Sequence, residues 1–183
     1  MSSVNVDFVH KLVILGDSGV GKTSLVERYV YDSLSPDMAQ TIGAVLHVKA
    51  LDLEGRLHKL VIWDLGGGES FAELREQYCA NASGAFFVVD RTRPETLDSI
   101  GVWLEALYTA AGKVPVVLVE NKMDLEPKIP AERILKVTKT RSLGFIQTSA
   151  TENSNVDQAF RDLVCSVGKT GKDPTPSKPR TRR

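Results

Sequence analysis

A chain of 183 residues that is 42% hydrophobic and 25% charged is sized for one domain with a substantial core, which excludes a disordered or fibrous polymer. Its 23 basic and 23 acidic residues cancel, so no global field gathers nucleic acid or an anionic membrane, and any such attraction must be local. Cys79 and Cys165, its two cysteines, match no metal or redox spacing and read as ordinary thiols of a reducing cytosol.

Met1 to Asp7 has no basic stretch leading into a long apolar run and reads as a short N-terminal extension. Nothing later approaches the roughly 20 apolar residues of a membrane span, so a soluble, cytoplasmic protein is expected. Apolar runs predict six strands, at 8 to 15, 44 to 53, 57 to 64, 84 to 90, 114 to 120 and 144 to 149. Only Glu54-Gly55-Arg56 separates the second from the third, which makes them an antiparallel hairpin. The later runs are spaced for crossover helices and hence for parallel pairing. Leu97, Ile100, Leu104 and Leu107 recur at helical spacing between Pro94 and Ala111, and Gly112 supplies a stop. A second helix is predicted from Pro130 to Leu143, and a last one carries Val156, Phe160, Leu163, Val164 and Val167 on one face. The expected fold is a doubly wound α/β domain over residues 8 to 167: a six-stranded, mostly parallel sheet with one antiparallel edge strand and helices on both faces. Residues 168 to 183 hold three prolines and six basic residues against one acid, and read as a disordered basic tail.

Gly16-Asp17-Ser18-Gly19-Val20-Gly21-Lys22-Thr23 fits the phosphate-loop pattern GxxxxGK[ST], between a predicted strand and a helical pattern. Glycines there let backbone N–H groups turn inward around phosphate oxygens, and the following helix offers its N-terminal dipole. Lys22 can reach the outer phosphates, and the Thr23 hydroxyl can ligate Mg²⁺. Alone, the loop says only nucleoside triphosphate and leaves kinases, ATPases and GTPases open. Arg91 and Arg93 form no clear lid pattern of the sort a nucleotide kinase needs.

The base is read further on. Asn121-Lys122-Met123-Asp124 follows a buried run, at the carboxyl end of a strand where open α/β sheets bind ligands. The Asp124 carboxylate can accept from both the ring N1–H and the 2-amino group of guanine, whereas adenine offers neither and leaves the acid unpaired. Asn121 can tie this stretch to the phosphate loop, and the Lys122 stem can lie along the base. In Thr148-Ser149-Ala150, the Ala150 N–H can donate to the guanine 6-oxo group.

Taken in order, GDSGVGKT, Thr41-Ile42-Gly43, Trp63-Asp64-Leu65-Gly66-Gly67, NKMD and TSA resemble the Ras superfamily of small GTPases, most closely the Rab branch. The resemblance spans about residues 8 to 167. It implies a GTP/GDP switch with Mg²⁺ as cofactor, contacted by Asp17, Ser18, Gly19, Val20, Gly21, Lys22, Thr23, Ser24, Leu34, Thr41, Asp64, Gly67, Asn121, Lys122, Asp124, Ser149 and Ala150. By the same resemblance, Thr23 and Thr41 bind the metal, Asp64 holds it from behind, and the Gly67 amide meets the γ-phosphate. Loss of that phosphate would release both switch segments, Tyr31 to Gln40 and Gly66 to Tyr78. The implied partners are effector proteins that read these segments together with Trp63 and Tyr78, an exchange factor and a GTPase-activating protein. The implied setting is trafficking or signalling by a monomer, with no nucleic acid partner.

Departures from the family bear on mechanism. Catalysis by the family pattern falls to Lys22, Thr41 and a glutamine after the glycine matched by Gly67, but that position here is Gly68. Slow intrinsic hydrolysis is expected, because positioning and charge stabilisation supply nearly all catalysis of phosphoryl transfer. Three outcomes stay open: a nearly GTP-locked interaction module, a slow GTPase governed by exchange, or an activating protein that supplies the missing group. Gly66-Gly67-Gly68 also makes the second switch costly to order, and Glu69 would repel the γ-phosphate. Leu34 stands where an aromatic ring often flanks guanine, Ala44-Val45-Leu46 replaces a small-acidic-aromatic triplet, and Glu120 replaces a small residue before NKxD. The chain ends Arg180-Thr181-Arg182-Arg183 without the cysteines that relatives prenylate, so membrane contact is expected to be at most peripheral, through the basic tail.

Overall fold

The computed structural model describes residues 6–36, 40–68 and 73–169. Its six strands are β1 (Phe8–Leu15), β2 (Ala44–Leu53), β3 (Arg56–Leu65), β4 (Gly84–Asp90), β5 (Val116–Asn121) and β6 (Gly144–Gln147). They form one sheet in the order β2-β3-β1-β4-β5-β6, with every pair parallel except β2 with β3. The antiparallel pair closes through Glu54 and Gly55, both at positive φ (54° and 75°), the signature of a two-residue hairpin turn whose twist matches its strands. From β1 the chain passes to the β2–β3 side and then crosses to β4. The carboxyl end of β1 therefore lies at the reversal of strand order, where a crevice opens.

Helices α1 (Lys22–Tyr31) and α6 (Val156–Lys169) cover one face. Their Leu25, Tyr29, Phe160 and Leu163 pack on Leu12, Ile14, Phe86 and Val119 of the sheet. The other face carries α2 (Arg75–Cys79), α3 (Glu95–Asp98), α4 (Ile100–Ala111) and α5 (Ala131–Arg141) over Val13, Leu15, Phe87 and Leu118. Apolar residues at strand period thus feed two separate layers, and β4 and β5 are buried along their whole length. No described helix is long and apolar enough to cross a membrane.

Several predicted boundaries move. The helix expected from Pro94 to Ala111 is two helices broken at Ser99, whose hydroxyl donates to the Thr96 carbonyl (3.2 Å). The apolar stripe runs through the break, so its period gave no warning. The fifth strand starts at Val116 rather than 114, since Pro115 has no N–H to give. The sixth strand ends at Gln147 rather than 149, yet Thr148 N–H still reaches the Glu120 carbonyl at 2.9 Å. Gly168 and Lys169, assigned to the tail, are the last residues of α6; the remainder of that tail, residues 170–183, lies outside the described residues, as do residues 1–5. The second switch segment, Gly66 to Tyr78, holds all but the last residue of α2, while Glu69 falls outside the described residues.

Candidate functional site

The loop from Gly16 to Gly21 leaves β1 and enters α1 at the sheet's carboxyl edge. Gly21 adopts φ 98°, and a Cβ there would collide with the Asn121 side chain, so only glycine admits this close approach. Lys22 is buried and bends back over the loop, donating Nζ to the carbonyls of Gly16 (2.7 Å) and Asp17 (2.8 Å). Burial lowers its ammonium to about 8, the charges of Asp64 and Asp17 work against that shift, and Arg75 and Arg93 reinforce it. A desolvated cation beside the open N–H groups of a helix terminus is prepared for an anion.

Three oxygen-bearing side chains from separate elements meet next to it. Thr23 Oγ1 of α1 donates to Asp64 Oδ2 of β3 at 2.6 Å, and the Thr41 hydroxyl stands 2.6 Å from Thr23 Oγ1 and 3.5 Å from the same carboxylate oxygen. Burial raises the Asp64 carboxyl above its ordinary value, against the hydrogen bond from Thr23 and the charge of Lys22. Asp64 Oδ1 is buried with no hydrogen-bond partner among the described residues. An orphaned carboxylate oxygen beside two hydroxyls suits a hard, oxygen-seeking cation such as Mg²⁺. No group of three His, Cys, Asp or Glu able to hold a metal occurs among the described residues, so such an ion would need ligand oxygens from elsewhere, as phosphates supply.

The two switch segments touch this centre. The Gly66 N–H donates to the Gly43 carbonyl at 2.8 Å. Gly67 lies against the backbone of Asp17 and Ser18 so closely that a Cβ would not fit. Gly68 is half-buried and contributes no side chain. Leu34 lies half-buried beyond the end of α1, and residues 37–39 of the first switch are outside the described residues. Trp63 and Tyr78 are both half-buried and pack on each other (centroids 5.9 Å apart), with the Lys11 ammonium 4.8 Å over the indole.

On the far side, Asn121 at the end of β5 donates Nδ2 to the Val20 carbonyl (3.0 Å) and accepts from the Thr148 hydroxyl (3.0 Å), which joins three loops. Lys122 takes a left-handed backbone (φ 66°) and reaches the Gly19 carbonyl (3.0 Å) and Asp90 Oδ2 (2.5 Å). Asp124 is exposed, and its Oδ1 accepts from the Ser149 hydroxyl at 2.6 Å, leaving the second carboxylate oxygen for a ligand. Ala150 is buried, and its carbonyl accepts from Arg28 Nε at 2.9 Å. Ser24 is buried behind the loop in the first turn of α1.

Some site residues belong to none of the sequence motifs. Asp90 ends β4 and collects Lys122, Arg93 Nε (3.2 Å) and both the N–H and hydroxyl of Thr92 (2.9 and 2.7 Å). Burial pushes its carboxyl up, but hydrogen bonds from Lys122 and Thr92 outweigh that and hold it below the usual range. Trp103 Nε1 donates to Asp17 Oδ1 (3.1 Å), Arg93 Nη2 to the Ser18 carbonyl (2.8 Å), and Gln40 Nε2 to Ser18 Oγ (2.5 Å). An acid closing a buried strand was the one readable hint, at Asp90; the others are contacts between distant segments.

Residues 11–169 match the sequence profile of the Ras family. RABA4b of Arabidopsis thaliana, described as a Ras-related protein, is 36% identical over 92% of this chain and 77% of its own. Ras-related protein Rab-13 of Canis lupus familiaris is 35% identical over 88% of this chain and 81% of its own, and Rab-30 of Homo sapiens 34% over 91% and 84%. A profile spanning nearly the whole described domain, joined to these Rab relatives, means that the chain belongs to the Ras family of small GTPases and is Rab-like within it.

Proposed function

We propose that this small GTPase binds GTP and GDP with Mg²⁺ through the residues named above, and that its hydrolysis depends on a partner for the group that Gly68 lacks. The observation that carries the reading is the meeting of Thr23, Thr41 and Asp64 beside the buried Lys22, with Gly67 against the phosphate loop. Lys22 and the loop amides would hold the outer phosphates. Thr23 and Thr41 would hold the ion, with Asp64 behind them. When bound, the ion neutralises charge on the β- and γ-phosphates. Thr41 thereby links the first switch to the γ-phosphate, and the Gly67 amide links the second. Removal of that phosphate takes away the contact that both segments share. At the base, Asp124 accepts from guanine, the Lys122 stem lies along the ring, and the Ala150 N–H donates to the 6-oxo oxygen. Leu34 offers a weaker apolar flank than a ring would.

Effector and regulator proteins would read the switch segments and the apolar stripe beside them. Ile42 is 80% exposed, with Leu46 and Val48 exposed on β2 near Trp63 and Tyr78. Nothing at Gly68 can orient an attacking water, so the chain alone turns over slowly and an activating protein supplies the orienting group. Single-turnover hydrolysis of GTP by the wild type and by Gly68→Gln tests this. The variant is expected to be at least about tenfold faster, which corresponds to about 1.4 kcal/mol of barrier. Equal rates would contradict the role given to this position, and GTP carried unhydrolysed through purification would favour an interaction module held in one state.

A further inference from the structure

Glu120 is an acid only 3% exposed, inside the sheet at the end of β5. A carboxylate removed from water needs a partner of opposite charge or full hydrogen bonding. Arg91, the first residue after β4, provides the charge: its Nε lies 3.9 Å from Glu120 Oε1, with the two side chains 13% and 4% exposed. Gln147 of β6 donates Nε2 to Glu120 Oε2 at 2.7 Å. The Arg91 Nε has no hydrogen-bond partner among the described residues, so the pair is held by charge and by burial.

The other end of the guanidinium is where the consequence lies. Arg91 Nη1 donates to the Met123 carbonyl at 2.7 Å and to the Leu125 carbonyl at 3.2 Å, the two peptide oxygens on either side of Asp124. The backbone of Arg91 joins the same loop: its N–H donates to the Asn121 carbonyl (3.2 Å), and its own carbonyl accepts from Lys128 (2.8 Å) and Ile129 (3.2 Å). One cation thus gathers the whole turn that presents Asp124, while Ser149 holds one oxygen of the carboxylate from the opposite side. A bent, exposed loop has many conformations, and a charged donor bridging two of its carbonyls selects one.

We infer that Arg91, held in place by Glu120, is a positioning residue for guanine recognition: it fixes the backbone on both sides of Asp124 and so sets the angle at which that carboxylate meets the base. The inference rests on the reading that Asp124 accepts from the N1–H and 2-amino groups of guanine. A pair that only stabilised the end of the sheet would, on removal, weaken all nucleotides alike. A positioning pair acts on the base edge, so its loss costs GDP more than inosine diphosphate, which lacks the 2-amino group and has one bond fewer to lose.

The test is the ratio of dissociation constants, inosine diphosphate over GDP, measured with Mg²⁺ on the full chain. Arg91→Met is expected to lower that ratio at least fivefold. Arg91→Met leaves Glu120 buried without its counter-charge and can fail to fold, so the double variant Arg91→Val with Glu120→Gly, which leaves neither charge behind, is measured beside it and is expected to lower the ratio equally. Arg91→Lys, which keeps the charge but not the rigid plane that faces Glu120 with one nitrogen and both carbonyls with another, is expected to restore less than half of the loss. An unchanged ratio in the double variant overturns the inference, whether or not both affinities fall together. Asp124→Ala separates the two levels of the reading: if it leaves the ratio unchanged, the base reading itself fails, whereas a ratio that falls in Asp124→Ala but not in the Arg91 variants refutes the positioning role alone.

Discussion

His10 and His58 face each other from β1 and β3, with His10 Nε2 2.7 Å from His58 Nδ1, a separation that requires one ring to donate and the other to accept. Both rings therefore cannot be charged at once. Burial, and then the neighbouring His58, lowers His10 to about 4, and burial also lowers His58 against the pull of Asp7 and Asp52. An unfolded histidine binds its proton near pH 6.5, so between about 6.5 and 4 the unfolded chain carries the proton that the folded one refuses. The stability from keeping His10 neutral is fully present above about pH 6.5 and is lost as the pH falls towards 4, by up to about 3 kcal/mol. Thermal melts of the wild type and His10→Leu, a change close in volume, should show the wild type losing more stability between pH 7.5 and 5.0. Parallel losses would contradict the assignment. This pair could not be read from the sequence, because two histidines far apart in the chain become neighbours only through the register of β1 on β3. Arg91 with Glu120, and Gln40 with Ser18, were hidden for the same reason. The phosphate loop was legible because its residues act as one consecutive turn.

Helix α6 shows how an element earns its place by packing. Val156, Phe160, Leu163, Val164 and Val167 are all buried, and Phe160 lies flat on Tyr29 of α1 (centroids 3.8 Å, planes 5° apart) and edge-on to Phe86 of β4 (4.9 Å, 85°). Phe160→Ala should cost about 3–5 kcal/mol, for lost transfer energy and for the cavity left between α1, α6 and the sheet. Urea unfolding measures this, and a loss below about 1 kcal/mol would mean that the layers close over the gap. Such stripes were readable because a helix repeats every 3.6 residues and α6 is fourteen residues long. Short elements were not. Helix α2 has five residues, too few to show a period, and the break at Ser99 leaves the apolar stripe continuous, so an apolar count passes over it.

Two apolar layers around one sheet form a rigid base, and the residues of the site stand together on its carboxyl edge: the phosphate loop after β1, Asp64 near the end of β3, Asp90 closing β4 and Asn121 closing β5. On the proposed function, that convergence would turn separate short motifs into a single device, with phosphates held at Lys22, an ion at Thr23, Thr41 and Asp64, and a base edge at Asp124. The fold and the order of motifs could be anticipated because strand period, turn residues and loop spacing are local; the bonds that lock the loops together, such as Asn121 to Val20 and Lys122 to Asp90, follow from the folded topology. The most direct trial of the whole arrangement is the affinity of the full chain for GDP and for ADP in the presence of Mg²⁺. Asp124 should make GDP tighter by a factor of at least ~10³, in line with sites that bury a hydrogen-bonding group meant for one substrate. Affinities within about tenfold of each other, the range a binding site reaches without such a group, would contradict it.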